Sequence, residues 1–380
     1  MRRLYFDHNA SSPLRPRARE LLRSWLEQDS PGNPSSAHAE GRESRRLLED
    51  ARETLCTLLG CAPEELVFTS GGTESNAWAL AGRERVGVCP TDHPSILEPA
   101  SRSARCELLA IDACGRVDVS RLPSSDIPFE LVSVGLANHE TGLVQDVAAV
   151  ARGLSDHPTL LHADASQAFG RIPVDVQRLG VDLLTISAHK LGGPVGCGAL
   201  VIRNGVSISP LVTGGPQEGG RRAGTESSLH AQLFAAAAAE AADLREEEDA
   251  HHRAWIERLR DTLTDLDTDS IFPVSSAETL PNTLCVVLPG RSGQALVHRL
   301  DLEGVSVSHG SACASGSLEP SPVLLSLGLH EDLARSSLRF SVGHTNTEAD
   351  IDELIARLTS VIRSVPPRPS GKKSGAYRGD

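Results

Sequence analysis

Leu183-Leu184-Thr185-Ile186-Ser187-Ala188-His189-Lys190-Leu191-Gly192-Gly193 decides how the chain reads. An apolar, β-branched run ends in Ser-Ala-His-Lys, and a Gly-Gly-Pro turn follows at once. This is the pattern of a buried strand with an abrupt stop. Lys190 then stands at the carboxyl edge of a sheet, where α/β folds place their ligands. The lysine has two readings. Its stem can snorkel to solvent, or its amine can form a Schiff base with an aldehyde cofactor, for which pyridoxal phosphate (PLP) is the obvious candidate.

The flanks of this stretch carry the same grammar. Leu66-Val67-Phe68-Thr69-Ser70 reads as a strand, Gly71-Gly72-Thr73 as a turn, and Glu74 onward as a helix. Further strand-like runs fall at 86–89, 108–111, 131–137, 160–163 and 199–203, with helical segments between several of them. Alternation of this kind predicts an α/β fold with a mostly parallel sheet. Toward the N-terminus, 4–10 is a short strand entering a polar loop. Pro13 and Pro16 introduce a helix through Trp25 and Leu26, and a second helix spans 38–59, closed by Gly60.

After Thr225 the character changes. Residues 231–266 read as one or two long helices, whose Ala-rich run at 235–239 is a packing face. Strands at 284–288, 305–308 and 338–342 and helices at 294–302 and 348–362 then suggest a smaller α+β domain. The expected division is a large cofactor-binding domain over 14–250, a small domain formed by 1–13 and 251–365, and a disordered Pro/Gly/Ser/Lys tail over 366–380.

Bulk properties exclude several classes. No apolar run approaches the ~18–20 residues of a membrane span, and Met1-Arg2-Arg3 leads straight into a strand-like segment. The expected setting is therefore the cytoplasm. A formal net charge of −13 argues against a dedicated nucleic-acid surface. None of the 8 cysteines forms a C-x-x-C pair, which removes zinc ribbons and thioredoxin-like motifs.

Other stretches carry candidate chemistry, each with an ordinary alternative. The Gly71-Gly72-Thr73 turn can cradle a phosphate on backbone N–H groups, although many such turns bind nothing. Asp164 ends a buried-strand pattern, Leu160-Leu161-His162-Ala163, so it can pair with a protonated pyridine nitrogen or simply cap the next helix. His93 follows the 86–89 run and can stack on a flat cofactor and exchange protons, or be an idle loop histidine. Ser308-His309-Gly310-Ser311-Ala312-Cys313-Ala314-Ser315-Gly316-Ser317 surrounds a thiol with small residues. Such a thiol is either a nucleophile that carries a group outward or an exposed, idle one.

In order along the chain, Phe6-Asp7-His8-Asn9-Ala10, Gly32-Asn33-Pro34, Thr69-Ser70-Gly71-Gly72-Thr73-Glu74-Ser75-Asn76, Asn138-His139-Glu140-Thr141-Gly142, His162-Ala163-Asp164-Ala165-Ser166-Gln167, Ser187-Ala188-His189-Lys190, Ala223-Gly224-Thr225, Gly310-Ser311-Ala312-Cys313 and Ser337-Leu338-Arg339-Phe340-Ser341 resemble the group I (NifS/IscS-like) PLP-dependent cysteine desulfurases. The likeness runs from about residue 4 to 362, and the ordered set is far more specific than any one block. It implies fold type I, with a seven-stranded sheet in the large domain, and PLP held covalently by Lys190.

The resemblance also implies the other roles. Asp164 pairs with the pyridinium nitrogen, Gln167 bonds the ring hydroxyl and His93 stacks on the ring. Gly72, Thr73, Ser187 and His189 hold the phosphate, with Thr225 contributed by the partner of a homodimer. Asn33 and Arg339 grip the substrate carboxylate, a bidentate task suited to arginine. L-cysteine would become L-alanine, with its sulfur left on Cys313 as a persulfide for an acceptor protein. Iron–sulfur assembly, tRNA thiolation and DNA phosphorothioation are the implied destinations, without direct nucleic-acid binding. A selenocysteine lyase or a class V aminotransferase is the alternative on the same fold. One position departs from the family: His139 replaces a common Asn at a cofactor-contacting place.

Overall fold

The computed structural model describes residues 2–27, 32–122, 128–275, 278–310 and 319–367. In chain order the elements are β1 (Leu4–Tyr5), α1 (Pro16–Leu26), α2 (Ala39–Leu59), β2 (Leu66–Thr69), α3 (Gly72–Leu80), β3 (Arg85–Val88), α4 (Pro94–Ala100), β4 (Arg105–Leu108) and β5 (Leu131–Gly135). There follow α5 (Val147–Gly153), β6 (Leu160–Asp164), α6 (Val176–Leu179), β7 (Leu183–Ser187), β8 (Gly198–Ile202) and α7 (Ser228–Leu266). The last are β9 (Thr283–Val287), α8 (Gly293–Leu302), β10 (Val305–Ser306), α9 (Pro322–Ser326), α10 (Glu331–Ala334), β11 (Ser337–Ser341) and α11 (Glu348–Ser364).

The stretch quoted first opens with β7, the third strand of a seven-stranded sheet of order β2-β8-β7-β6-β5-β3-β4. All of its strands are parallel except β8, which runs antiparallel to both β7 and β2. Because β8 reverses twice, β2 points the same way as β7, and its carboxyl end opens on the same edge. Both faces are covered. Leu184 and Ile186 enter one core with Phe68, Val134, Ala163 and Val201, while Leu183 enters the opposite core with Val67, Trp78, Val88 and Leu200. Burial on two sides is why β7 reads as a continuous apolar run rather than an alternating one.

Helix α7 extends over 39 residues without a break, so the alternative of two helices falls away. Its first part, with Leu233, Phe234, Ala237 and Ala238, packs into the core of the large sheet. Its last part, with Ile256, Leu259 and Leu263, enters a separate core with Phe6, Val286, Leu338 and Leu354. That second core covers the antiparallel pair β9–β11 and the parallel pair β1–β10, joined by bridges Asp7–Ser341 and Ser308–Arg339.

Two strand expectations move. The run expected at 108–111 is displaced, because the strand is Arg105–Leu108. It is an exposed edge strand whose place is set by pairing with β3 (Arg85↔Arg105), and the apolar residues that drew the eye begin where the chain turns inward at buried Leu109. The run expected at 305–308 keeps only Val305–Ser306 as strand, with Ser308 making a single bridge.

Candidate functional site

The carboxyl ends of β2, β3, β5, β6 and β7 converge on a cavity of about 290 Å³, near the lower end of ordinary ligand pockets. Gly72, Thr73, His93, His139, Asp164, Gln167, Ser187, His189 and Lys190 all line it. These residues span 119 positions of sequence yet share one wall, because the parallel strands deliver their ends to one edge.

Lys190 closes a short turn, Ala188–Lys190, directly after β7. Its Nζ donates to the main-chain oxygens of Asn9 (2.7 Å) and Ala10 (2.9 Å), which tie the N-terminal loop over the cavity. Asp164, the last residue of β6, accepts from Asn76 Nδ2 at 2.7 Å and from the Ser166 N–H at 2.8 Å. One donor on each oxygen fixes the carboxylate in place at the cavity wall.

The network continues to the imidazole. Asn76 Nδ2 also donates to Ser95 Oγ (2.9 Å), and Ser95 Oγ lies 2.8 Å from His93 Nδ1. The Ser95 N–H donates to the same Nδ1, so Nδ1 is an acceptor and the proton of the neutral ring sits on Nε2. Burial lowers His93 to a pKa of about 4; His139 and Lys190 act in the same sense and Asp164 against it. At neutral pH His93 is therefore uncharged. His189 is lowered likewise to about 4, by burial and then by Lys190 and Arg171.

Gln167 uses both ends of its amide within the chain. Nε2 donates to Asn9 O (3.0 Å), and Oε1 accepts from Arg171 Nη1 (2.5 Å), leaving one amide hydrogen for the cavity. Arg171 also binds the carbonyls of His8 and Lys190, so it clamps the lysine turn from behind. His139 faces His93 edge-on, with ring centroids 5.1 Å apart.

The turn before α3 is built for close approach. A Cβ on Gly72 would come within 2.8 Å of Ser166 Oγ, and a Cβ on Gly198 within 2.7 Å of Gly71 Cα. Ser166 Oγ itself is buried with no hydrogen-bond partner among the described residues. A partnerless hydroxyl beside the N-terminus of α3, whose first N–H groups have no intrahelical carbonyl, suits a phosphate. With an amine at Lys190 and a carboxylate at Asp164, the donor set fits PLP.

Three expected residues stand elsewhere. Arg339 does not line the cavity; it is buried behind His139, donating Nη1 to the His139 carbonyl (2.9 Å) and Nη2 to Asp7 Oδ1 (2.6 Å). Asn33 is exposed and accepts from the Ser35 N–H. Thr225 is exposed, in the loop before α7. Cys313 lies outside the described residues.

Asn76, Ser166, Asp92 and Arg171 escaped the sequence reading. Asn76 had a usable signal, since it follows Thr73 by three positions on α3 and so shares its face. Asp92 had none: burial pushes it up to about 8 although the Gly135 and Cys89 N–H groups bind it, with Asp164 adding to the rise.

The aminotransferase class-V family model matches residues 4–354. Cysteine desulfurase IscS of Dictyoglomus turgidum is 35% identical over 387 residues, covering 96% of this chain and 97% of that protein. The crystal structure of a NifS-like protein from Rickettsia africae superposes with a TM-score of 0.87 at 32% identity, over 95% of this chain and 99% of that one. SspA in complex with cysteine gives a TM-score of 0.77 at 27% identity, over 90% of this chain and 100% of its own. Similarity of this extent, on the same fold, means that the chain belongs to the class-V aminotransferase family, among its NifS/IscS-like cysteine desulfurases.

Proposed function

We propose that the chain is a PLP-dependent cysteine desulfurase that converts L-cysteine to L-alanine and leaves the sulfur on Cys313. The observation that carries this reading is the convergence of Lys190, Asp164 and His93 in one cavity, joined through Asn76 and Ser95. When bound, PLP supplies an electron sink for charge developing on the substrate carbons. Lys190 Nζ would hold the cofactor and would move the proton at the substrate Cα. Asp164, fixed by Asn76 and Ser166, keeps a proton on the ring nitrogen. Gly72, Thr73, Ser187 and His189 bind the phosphate, Gln167 spends its remaining amide hydrogen on the ring oxygen, and neutral His93 packs on the ring.

The Cys313 thiolate attacks the substrate sulfur. An S–S bond forms as the substrate Cβ–S bond breaks, the electron pair left on Cβ takes up a proton, and Lys190 Nζ returns a proton to Cα, which completes alanine. Arg339 serves the substrate carboxylate by exchanging its Asp7 contact for it, with Asn33 alongside. The proposed assembly is a homodimer in which Thr225 completes the partner's phosphate site, and a second protein accepts the persulfide. The described cysteines are all free thiols, which accords with a reducing compartment such as the cytoplasm. The division into a large domain over 14–250 and a small one from 1–13 and 251–365 is part of the same proposal, supported by the two separate cores along α7.

The test is sulfide and alanine release from L-cysteine by the PLP-loaded protein and its Cys313→Ser variant. The variant keeps the cofactor's absorption band and loses at least about 100-fold in both products. Full turnover without the thiol would remove the nucleophile role and favour a lyase or an aminotransferase.

A further inference from the structure

The departure at His139 comes with a neighbour that gives it a purpose. Glu140 is a fully buried carboxyl at 1% exposure. Its Oε2 accepts from Ser321 Oγ at 2.5 Å, while its Oε1 is buried without a hydrogen-bond partner among the described residues. His139 Nε2 is likewise buried without one, and the two atoms face each other at 3.6 Å. A carboxylate oxygen and an imidazole nitrogen left unmatched side by side are each costly, and a proton between them relieves both.

We propose that Glu140 is a positioning residue that holds His139 with a proton on Nε2, and that the pair takes up a further proton on Nδ1 when an anionic ring oxygen enters the cavity. With Nε2 turned to Glu140, Nδ1 is the only other ring nitrogen, and no described residue bonds it. In the neutral ring Nδ1 carries a lone pair and repels an anionic oxygen. In the imidazolium it donates to that oxygen, and the buried Glu140 carboxylate balances the charge. A family asparagine offers a fixed amide donor; His139 offers one conditional on a proton.

The groups around the pair agree. Glu140 is held below the ordinary carboxyl range in spite of burial, through His139, Ser321 and Arg339. His93 faces His139 from α4 as a neutral ring. Arg339 from β11 binds the His139 carbonyl, and its charge is spent on Asp7. Lys190 and Asp164 stand among the cavity walls with opposite charges, and His309 feels Glu140 from the small-domain side.

This inference rests on the PLP reading, and its experiment separates the two. Proton uptake on PLP binding to the cofactor-free protein is measured by titration calorimetry in buffers of different ionisation enthalpy, for wild type, His139→Asn, Glu140→Gln, the double variant and Ser321→Ala. Any protons exchanged by Lys190 and the cofactor are common to all five. Wild type takes up more protons at pH 8 than His139→Asn, by up to one. Glu140→Gln keeps the shape of the site, falls toward the His139→Asn value and binds PLP about tenfold more weakly.

In the double variant the Glu140 change costs nothing beyond His139→Asn alone. Ser321→Ala, which removes the other Glu140 contact, leaves proton uptake as in wild type. Equal uptake by wild type and His139→Asn overturns the proposal. So does a Glu140→Gln effect of the same size in both backgrounds, which would assign Glu140 a structural role only. Absence of any PLP binding by wild type would instead refute the cofactor reading.

Discussion

At the scale of single residues, Asp164 shows what a side chain needs in order to act. A strand-end aspartate is common, and what distinguishes this one is that both of its oxygens are bound by donors that themselves belong to the site. Asp164→Asn preserves the shape but removes the charge that, in the proposed function, would keep the ring nitrogen protonated. The expected outcome is PLP binding within about tenfold of wild type by fluorescence titration, with kcat for alanine formation reduced at least about 100-fold. Equal loss of binding and turnover would make Asp164 a binding group alone. Lys190, Asp164 and His93 were legible in the sequence as candidates, because Asp164 ends an apolar strand pattern and Lys190 and His93 follow one. Arg171 and Asp92 were not, since their roles come from main-chain groups far along the chain: the His8 and Lys190 carbonyls for one, the Gly135 N–H for the other.

At the scale of elements, the cofactor turn depends on the strand beneath it. The Gly71–Gly72 corner rests directly on β8, where Gly198 offers no side chain: a Cβ there would come 2.7 Å from Gly71 Cα and 2.8 Å from the Ile186 carbonyl. Gly198→Ala must push the corner outward or break the β7–β8 register. The expected cost is about 1–3 kcal/mol in denaturant unfolding, together with weaker phosphate binding, read as a raised Kd for PLP. Unchanged PLP affinity would show that the corner yields without moving its N–H groups. The elements themselves were largely readable, β7 to the residue, because a strand buried on both faces is apolar throughout. Edge strand β4 was misplaced, because its Arg105-Cys106-Glu107 has no apolar pattern and only its partner β3 defines it.

At the scale of the whole molecule, the large and small cores meet around α7 and the N-terminal loop. There His8, His252 and His344 gather behind Lys190 with Arg15, Arg171, Glu248 and Asp249. Burial lowers His252 and His344 to about 4 and His8 to about 2; neighbouring arginines push the same way, and Glu248 opposes the shift at His252 and His344. Each ring binds a proton less readily folded than unfolded. Between the folded values and the ordinary 6.5 the unfolded chain therefore holds more protons, so stability rises with pH across that window and is lost on acidification. Each group contributes at most about 1.4 kcal/mol per pH unit. The Tm of the protein should fall from pH 6.5 to 4.5, and His252→Gln should flatten that fall by comparison. Parallel curves for the two proteins would mean that the junction opens to water before the histidine charges.

The sequence by itself determined the alternation of strand and helix, the apolar run of β7 and the amine placed just beyond its end. These are local properties: side-chain period, turn residues and strand ends are all expressed within a few positions. Only the tertiary structure decided which polar groups share the cavity, that Arg339 stands behind His139, and that Glu140 and His139 leave facing atoms unmatched. Such facts depend on strands far apart in the chain delivering their ends to one edge and excluding water there, and no local pattern records where that edge closes.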